Sequence, residues 1–307
     1  FGRSARVTDS QYFVIEDDEY DTAFVDKRSK FVHYRPSTVI LNNLEFDHAD
    51  IFADLSAIET QFHHLVRTVP GNGLIIANGS EDSLQRMLEL GCWTPLEWFD
   101  SPDGWSARGA DDVSEFEVLF AGKVQGRVRW KLSGRHNRMN ALAALAAARH
   151  AGVPPAMGIE ALSSFRNVKR RMEVRGEVNG ITIYDDFAHH PTAIETTVAG
   201  LRAAVGGARI FAVFEPRSNT MKMGSIKQAL CSSLAAADLV FCYTHGLDWD
   251  VAGTLQPLGA KSQCFDNIDG LVKEIVSSAR AGDHVVIMSN GGFGNIHEKL
   301  LAELQAS

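Results

Sequence analysis

The sequence predicts an α/β protein with a mostly parallel sheet in each of two halves. Short runs rich in Val, Ile and Phe alternate with amphipathic segments along all 307 residues. The alternation occurs in both halves, and a boundary between them is predicted near residues 165–168. Several of the apolar runs end in clusters of acids, amides or histidines. Ligands of open α/β sheets bind at the carboxyl ends of strands, so these clusters are the candidate site.

The first half is predicted to contain three strands, a hairpin and two helices. The strands cover residues 12–16, 38–42 and 73–77, and the hairpin pairs 115–120 with 123–132. A helix over 53–69 follows from the apolar spacing of Leu55, Ile58, Phe62 and Leu65. A second helix over 137–150 ends before Gly152 and Pro154. With the boundary at 166, this half is the first predicted domain, residues 1–166.

The second half, residues 167–307, is the second predicted domain. Its strands are predicted at 173–177, 181–185, 210–214, 239–243 and 284–288. Its helices are predicted at 191–204, 225–236, 268–280 and 294–306.

Composition excludes some classes of protein. The formal net charge is −8 and the sequence pI is about 5.8, which argues against nucleic-acid and anionic-membrane partners. Four scattered cysteines without a CxxC pair are typical of reduced core residues in a cytoplasmic protein. No apolar run reaches spanning length.

Two polar clusters follow strands of the first half. FVIEDDEYD places Glu16 at the end of an apolar run, and carboxylates there suit Mg²⁺ with nucleotide phosphates. NNLEFDHAD adds His48, which could complete a metal shell or orient a phosphate. The alternative for the first cluster is a solvated acidic loop. For the second it is a histidine next to a helix N-cap or a satisfied surface histidine.

A third cluster opens the predicted helix after SGRHNRMN. Gly134 permits close approach of the backbone, and the first turn of the helix offers free N–H groups to an anion. His136, Asn137 and Asn140 project from this turn. Simple capping by asparagine is the alternative.

The fourth cluster is YDDFAHHP, preceded by KRRMEV. Its strand delivers Asp185 and Asp186, and Pro191 suits the first turn of the next helix. Arg171 supplies planar donors for phosphate or carboxylate. His189 and His190 suggest a metal, but adjacent histidines point in different directions and no third ligand at a fixed spacing is evident. A metal-dependent hydrolase using the two acids and two histidines remains an alternative.

Two further clusters lie at the ends of later strands. Arg217 in FEPRSNT could bind a substrate carboxylate through two parallel hydrogen bonds. Asn290 lies in MSNGGFG, where the glycines permit close approach of a ligand.

The combination of these segments resembles the Mur ligase family, the ATP-dependent ligases that build and recycle the peptide of bacterial peptidoglycan. The resemblance rests on E-x-D-E-x-D, N-x-x-x-D-H, G-R-H-N-x-x-N-A and D-D-x-x-H-H-P in this order, from about residue 13 to 295. It implies the later part of a parallel-sheet ATPase domain followed by a Rossmann-like C-terminal domain.

The resemblance also implies a reaction. FEPRSNTMKMG and MSNGGFG are most similar to family members that join the tripeptide L-Ala-γ-D-Glu-meso-diaminopimelate to UDP-N-acetylmuramate in peptidoglycan recycling. ATP phosphorylates the lactyl carboxylate, and the tripeptide amine attacks the acyl phosphate. The alternative within the family adds L-alanine instead, and it has His-Arg-Tyr where this chain has Pro216, Arg217 and Ser218.

Roles of single residues follow from the same resemblance. Glu16 and His48 would hold Mg²⁺, and His189 with Asp186 would act in catalysis. The remaining assignments concern the ligands: His136, Asn137, Asn140, Arg171 and Asp185 for ATP, and Arg217, Ser218 and Asn290 for the tripeptide.

The chain departs from the family pattern in two ways. The phosphate loop G-x-x-G-K-T/S is missing, since Gly122-Lys123 falls in the predicted hairpin and precedes Val124. We therefore expect the chain to be the later part of a longer protein and inactive alone, with a non-catalytic nucleotide-binding module as the alternative. Residues 49–68 also contain no lysine, so we expect no carbamylated lysine.

Overall fold

The computed structural model describes residues 5–21, 26, 28–46, 51–109, 114–216 and 227–307. Two six-stranded sheets follow one another along this part of the chain. The strands of the first sheet are β1 Thr38–Leu41, β2 Leu74–Asn78, β3 Leu96–Phe99, β4 Trp105–Gly109, β5 Glu115–Phe120 and β6 Lys123–Arg129. Those of the second are β7 Glu173–Val178, β8 Ile181–Asp186, β9 Ile210–Phe214, β10 Leu239–Tyr243, β11 Ser262–Phe265 and β12 His284–Met288.

Helices cover both faces of each sheet. In the first half they are α1 Leu55–Val66, α2 Asp82–Glu89, α3 Arg135–His150 and α4 Pro155–Ser163. In the second half they are α5 Pro191–Val205, α6 Lys227–Ser233, α7 Val251–Leu255, α8 Ile268–Ser278 and α9 Ile296–Ala306.

The first sheet runs in the order β1-β2-β3-β4-β5-β6. The strands from β1 to β4 are parallel to one another, and β4, β5 and β6 are antiparallel. Alternate residues of β2 enter different cores, because successive side chains of a strand point to opposite faces. Ile75 and Ala77 pack with α1 and α2, whereas Leu74 and Ile76 pack with α3.

The second sheet runs in the order β11-β10-β9-β12-β8-β7 and is parallel except for the β7–β8 pair. Alternate side chains of β12, like those of β2, pack into cores on opposite faces of the sheet. Val286 and Met288 face α5, α6 and α7, and Val285 and Ile287 face α8 and α9. The predicted α/β class with mostly parallel sheets is therefore confirmed, while the boundary at residue 166 stays a prediction.

The predicted strand at residues 12–16 is wrong. This segment is neither helix nor strand, and its Val14 side chain is 92% exposed. No strand in the described part of the chain pairs with it, so its apolar side chains stay largely exposed. The other predicted strands are present, although β6 ends at Arg129 rather than at residue 132. Strands β3, β4 and β11 and helices α2, α4 and α7 were not predicted.

Gly122-Lys123 forms the predicted hairpin. Ala121 and Gly122 both have positive φ, 47° and 73°, which gives the two-residue turn whose twist matches that of antiparallel strands. Lys123 is the first residue of β6. Neither residue therefore belongs to a phosphate loop. In the described residues, no helix is long and apolar enough to cross a membrane.

Candidate functional site

Three of the predicted polar clusters meet where the two halves of the molecule touch. The segment after β1, the start of α3 and the turn between β8 and α5 form this region. The backbones of α3 and α5 approach closely, since a Cβ added to Gly200 would lie 3.3 Å from the Cα of Gly134. Glu45, after β1, accepts a 2.6 Å hydrogen bond from the hydroxyl of Thr192 in α5.

The start of α3 depends on Gly134. Its φ of 88° is unfavourable for other residues, and a Cβ there would lie 2.7 Å from the ring of His136. Asn137 donates to the carbonyl of Ser133 at 2.7 Å. Asn140 accepts a 2.9 Å hydrogen bond from Asn42, which ties α3 to the end of β1. Both asparagines thus have local partners as well as the ligand role predicted for them.

His136 is the predicted nucleotide residue with an unused polar atom. Its Nδ1 is buried and has no hydrogen-bond partner. Burial lowers the pKa of His136; nearby Asp186 raises it, and Arg171 lowers it further. The ring is therefore held neutral, with a nitrogen that can donate to or accept from a ligand. Asp186 is near enough to affect the pKa of His136, so the end of β8 lies beside the start of α3.

Asp186 holds the turn between β8 and α5. One carboxylate oxygen accepts from the Met172 N–H at 2.8 Å. The other accepts from the Ala188 N–H at 2.8 Å and from the Thr197 hydroxyl at 3.1 Å. The side chain is buried, so these bonds replace those that water would make. This geometry favours a positioning role, and the predicted catalytic role of Asp186 stays a prediction.

Asp185 is surrounded by cationic and imidazole groups from the turn before β7, from β7 and from α9. Its carboxylate lies 3.4 Å from Arg170, 3.3 Å from Arg175 and 3.4 Å from His297. Burial lowers the pKa of His297, and Asp185 raises it. Asp185 is only 3% exposed. A nucleotide that bound to its carboxylate would therefore have to displace these neighbouring side chains.

Sequence reasoning missed Arg175 and His297. Arg175 gives no signal, because alternating charged residues are ordinary on an edge strand. His297 does give one, since it lies in the apolar stripe formed by Ile296, Leu300 and Leu304. A polar residue in such a stripe indicates a buried partner.

The two neighbouring arginines of KRRMEV have different environments. Arg170 donates to the carbonyl oxygens of Ser289 and Gly291, the latter at 2.9 Å, and so ties the turn before β7 to the loop after β12. Arg171 is exposed and lies over the ring of Phe187, with 5.5 Å between its guanidinium carbon and the ring centroid. Arg171 is thus the member of the pair whose donors can meet a ligand.

The side chains of His189 and His190 point in different directions, as the sequence predicts for adjacent histidines. The Nδ1 of His189 donates to the carbonyl of Phe187 at 2.9 Å, because a carbonyl oxygen can only accept. This bond leaves Nε2 of a neutral ring as an acceptor. His190 instead turns toward Glu45, with 3.5 Å between Nδ1 and the carboxylate, and its Nε2 is buried without a partner.

Asn290 also carries an unused polar atom. Its side-chain carbonyl oxygen is buried and has no hydrogen-bond partner, which is typical of a ligand site or of an ordered water. The neighbouring Ser289 hydroxyl donates to Glu215 at 2.7 Å and fixes the loop. Arg217 and Ser218, predicted to share the tripeptide with Asn290, lie outside the described residues.

The predicted metal ligands do not form a described site. Glu16 lies in the exposed segment before residue 21, and His48 is outside the described residues. Among the residues that the structure describes, no group of three or more His, Cys, Asp or Glu side chains could hold a metal ion. The geometry also gives the hydrolase alternative no support, because Asp185 and Asp186 are engaged by groups of the chain itself.

Both halves of the chain match known domains. Residues 3–148 match the Mur ligase middle domain, and residues 170–291 match the Mur ligase glutamate ligase domain.

Relatives and a solved structure extend the similarity to nearly the whole chain. Ligases described as UDP-N-acetylmuramate–L-alanyl-gamma-D-glutamyl-meso-2,6-diaminoheptandioate ligases are 54% identical in Escherichia coli K12 and 52% in Haemophilus influenzae, over 98% and 99% of this chain. A crystal structure of a murein peptide ligase from Psychrobacter arcticus 273-4 is 46% identical over 96% of the chain, with a TM-score of 0.71. The chain spans 66% and 68% of these two relatives and 63% of the crystallised chain.

Proposed function

This chain belongs to the Mur ligase family, and we propose on that basis that it is part of an ATP-dependent ligase that joins L-Ala-γ-D-Glu-meso-diaminopimelate to UDP-N-acetylmuramate in peptidoglycan recycling. The observation that carries the proposal is the identity of 54% and 52% with two relatives described as ligases of these substrates. The substrates and activity are proposed for the whole protein, since the chain spans about two thirds of those relatives.

The proposed reaction has two steps. The γ-phosphoryl group of ATP moves to the carboxylate of UDP-N-acetylmuramate, and ADP leaves. The tripeptide amine then attacks the carbonyl carbon, phosphate leaves with the bonding electrons, and the amine loses a proton as the amide forms. Both steps require substrates held in line and donors aimed at developing negative charge.

Residues at the start of α3 are assigned to the nucleotide. The free N–H groups of the helix and the unused Nδ1 of His136 support this assignment. Asn137 and Asn140 lie in the first two turns of α3, and the exposed Arg171 is near enough to lower the pKa of His136. Asp185, predicted to meet the nucleotide directly, is assigned here to holding Arg170 and the loop beyond it.

His189 is assigned to the acyl-transfer step. Its Nδ1–H is fixed by the Phe187 carbonyl, so its Nε2 can accept a hydrogen bond or a proton from the attacking amine. Asp186 fixes the turn that carries His189, through its bonds to Met172, Ala188 and Thr197. Asn290 is assigned to the tripeptide, with Arg217 and Ser218 as its predicted neighbours.

Mg²⁺ is proposed with Glu16 and His48 as ligands. When bound, it would neutralise charge on the phosphates of ATP. The described residues do not assemble a metal site around Glu16, so no step of the proposed mechanism depends on this assignment. Nucleic acid and membrane are not among the proposed partners, and the proposed location is the cytoplasm.

Phosphate release by the full-length protein tests the proposal. Purified protein receives ATP, Mg²⁺ and UDP-N-acetylmuramate with either the tripeptide, L-alanine or no amine. We expect release to depend on the tripeptide, with formation of the amide product detected by mass spectrometry. Release with L-alanine and none with the tripeptide would assign the protein to the alanine-adding ligases. Tightly bound zinc with hydrolysis that a chelator abolishes would instead identify a hydrolase.

A further inference from the structure

Glu45 joins the two halves of the molecule, and the sequence motifs give it no role. It follows β1 by four residues and is half-buried, with a side chain 32% exposed. One carboxylate oxygen accepts from Asn43 of its own segment at 2.8 Å. The other accepts from the Thr192 hydroxyl at 2.6 Å and lies 3.5 Å from Nδ1 of His190. We call the last two interactions the Glu45–α5 contact.

The chemistry of this contact favours a carboxylate. His190 and Thr192 flank Pro191, the first residue of α5, where the unpaired N–H groups of a 15-residue helix favour negative charge. A hydrogen bond from a hydroxyl to an ionised carboxylate is stronger than a neutral one. The side chain of His190 has no other polar partner in the described residues, since its Nε2 is buried and unbonded.

The position of the contact links it to the reacting groups. His189 immediately precedes His190, and the start of α3, where Gly134 is two residues before His136, lies against α5 at Gly200. A displacement of the first turn of α5 therefore moves His189 relative to the proposed nucleotide site. Small displacements of this kind matter because in-line transfer tolerates little error in geometry.

We propose that Glu45 is a positioning residue: its contact with Thr192 and His190 sets the first turn of α5, and so His189, against the start of α3. The effect on turnover rests on the proposed function, whereas the contact itself does not. Glu45 acts through α5 and itself contacts no reacting atom.

A double-mutant cycle on the full-length protein tests the proposal. Glu45→Ala and Thr192→Val should each lower kcat about tenfold with KM for ATP little changed, and the double variant should lose no more than either single variant. Glu45→Gln and Thr192→Ser keep an acceptor and a hydroxyl, so they should recover most of the rate. Effects that multiply in the double variant would overturn the proposal, as would wild-type kcat in both single variants.

Matched controls come from the same two regions. Glu59 pairs with Arg86 inside the first half at 2.7 Å, and the Thr196 hydroxyl donates to Ala193 within α5 at 3.0 Å. Glu59→Ala and Thr196→Val remove comparable groups without breaking a contact between the halves. We expect wild-type kcat for both, and no coupling of either with the Glu45–α5 contact.

Hydrogen exchange separates this proposal from the proposed function. In the full-length protein without substrates, Glu45→Ala and Thr192→Val should raise exchange at the amides of residues 192–195, and the control variants should not. If the protein ligates neither the tripeptide nor L-alanine, the proposed function fails. The exchange result still tests whether the Glu45–α5 contact holds the first turn of α5. Unchanged exchange in both variants would overturn the proposed contact.

Discussion

Two segments of this chain have nearly the same sequence pattern and opposite structures. FVIEDD, residues 13–18, and ITIYDD, residues 181–186, are both short apolar runs that end in paired acids. The second is strand β8, with both aspartates buried. The first is exposed and is neither helix nor strand.

Neighbouring strands account for the difference. β8 lies between β12 and β7, so both of its edges are hydrogen-bonded and helices cover its faces. Its acids accept hydrogen bonds from backbone N–H groups, a hydroxyl and arginines, and an imidazole lies beside Asp185. Residues 13–18 have no paired strand among the described residues, and their side chains face solvent. The pattern indicates the capacity to form a strand, and the neighbours decide whether one forms.

Truncating one apolar side chain in each segment should give the largest contrast. Ile183→Ala removes a fully buried side chain from β8 and should lower the free energy of unfolding by about 2–5 kcal/mol. Val14→Ala removes an exposed one and should change it by no more than about 0.5 kcal/mol. Urea unfolding of the purified chain, followed by circular dichroism, measures both. Comparable losses in the two variants would mean that residues 13–18 are packed in solution.

The turn after β8 should also carry the catalytic contribution. His189→Ala in the full-length protein should lower kcat about 100-fold, because Nε2 is the proposed acceptor during amide formation. That loss corresponds to about 2.7 kcal/mol of transition-state stabilisation. KM for ATP should change much less, as measured by phosphate release at varied ATP. Equal turnover in variant and wild type would refute the assigned role.

The acids of the two segments should differ in their contribution to stability. Asp186→Asn replaces an acceptor of three hydrogen bonds with a group that has one acceptor oxygen, and should cost about 1–3 kcal/mol. Asp18→Asn alters an exposed residue and should stay within about 0.5 kcal/mol. Urea midpoints at constant pH compare the two. A larger loss for Asp18 would reverse the expected order.

The smallest expected effect concerns pH. Burial lowers the pKa of His136 below its ordinary value of 6.5 in the folded chain, so below pH 6.5 the unfolded chain takes up a proton that the folded chain does not. Stability present above pH 6.5 should therefore fall as the pH drops toward the folded pKa. His284 and His297, whose pKa values are also lowered by burial, should add to this trend.

His136→Gln isolates the contribution of one ring. Between about pH 7.5 and about pH 5.5, its unfolding free energy should fall less steeply than that of wild type. Asn137→Ala, at the next position of α3, does not titrate in this range and should retain the wild-type slope. Parallel curves for His136→Gln and wild type would mean that the ring titrates alike in both states.

The strands that sequence reasoning placed best are those buried on both faces. Residues 210–214, 239–243 and 284–288 are continuous apolar runs with sharp polar ends, and β9, β10 and β12 have these bounds. β3 and β4 contain polar residues that interrupt the apolar run expected of a buried strand. One of them, Glu97 of β3, accepts a 2.9 Å hydrogen bond from the indole of Trp105 in β4. This hydrogen bond cannot be predicted from the sequence, because it forms only when the fold places the two strands side by side.

The candidate site was predictable in its residue types and less so in its contacts. Strand ends identified Asp185, Asp186 and the start of α3, because topology alone brings such ends to one edge of a sheet. The groups around Asp185 come from positions 170, 175 and 297, and no spacing in the sequence pairs these positions with Asp185. The role of Glu45 depends in the same way on a residue 147 positions away.

The approach of Gly134 to Gly200 has a consequence for the mechanics of the molecule. Two surfaces that meet through bare backbone have no side chains to interdigitate, so they can separate or rotate without changing rotamers. Polar groups near this contact, such as Glu45 with Thr192, then contribute to orienting one half against the other. Hydrogen bonds are directional and short in range, so the two halves should dock in one register while their contact stays easy to open.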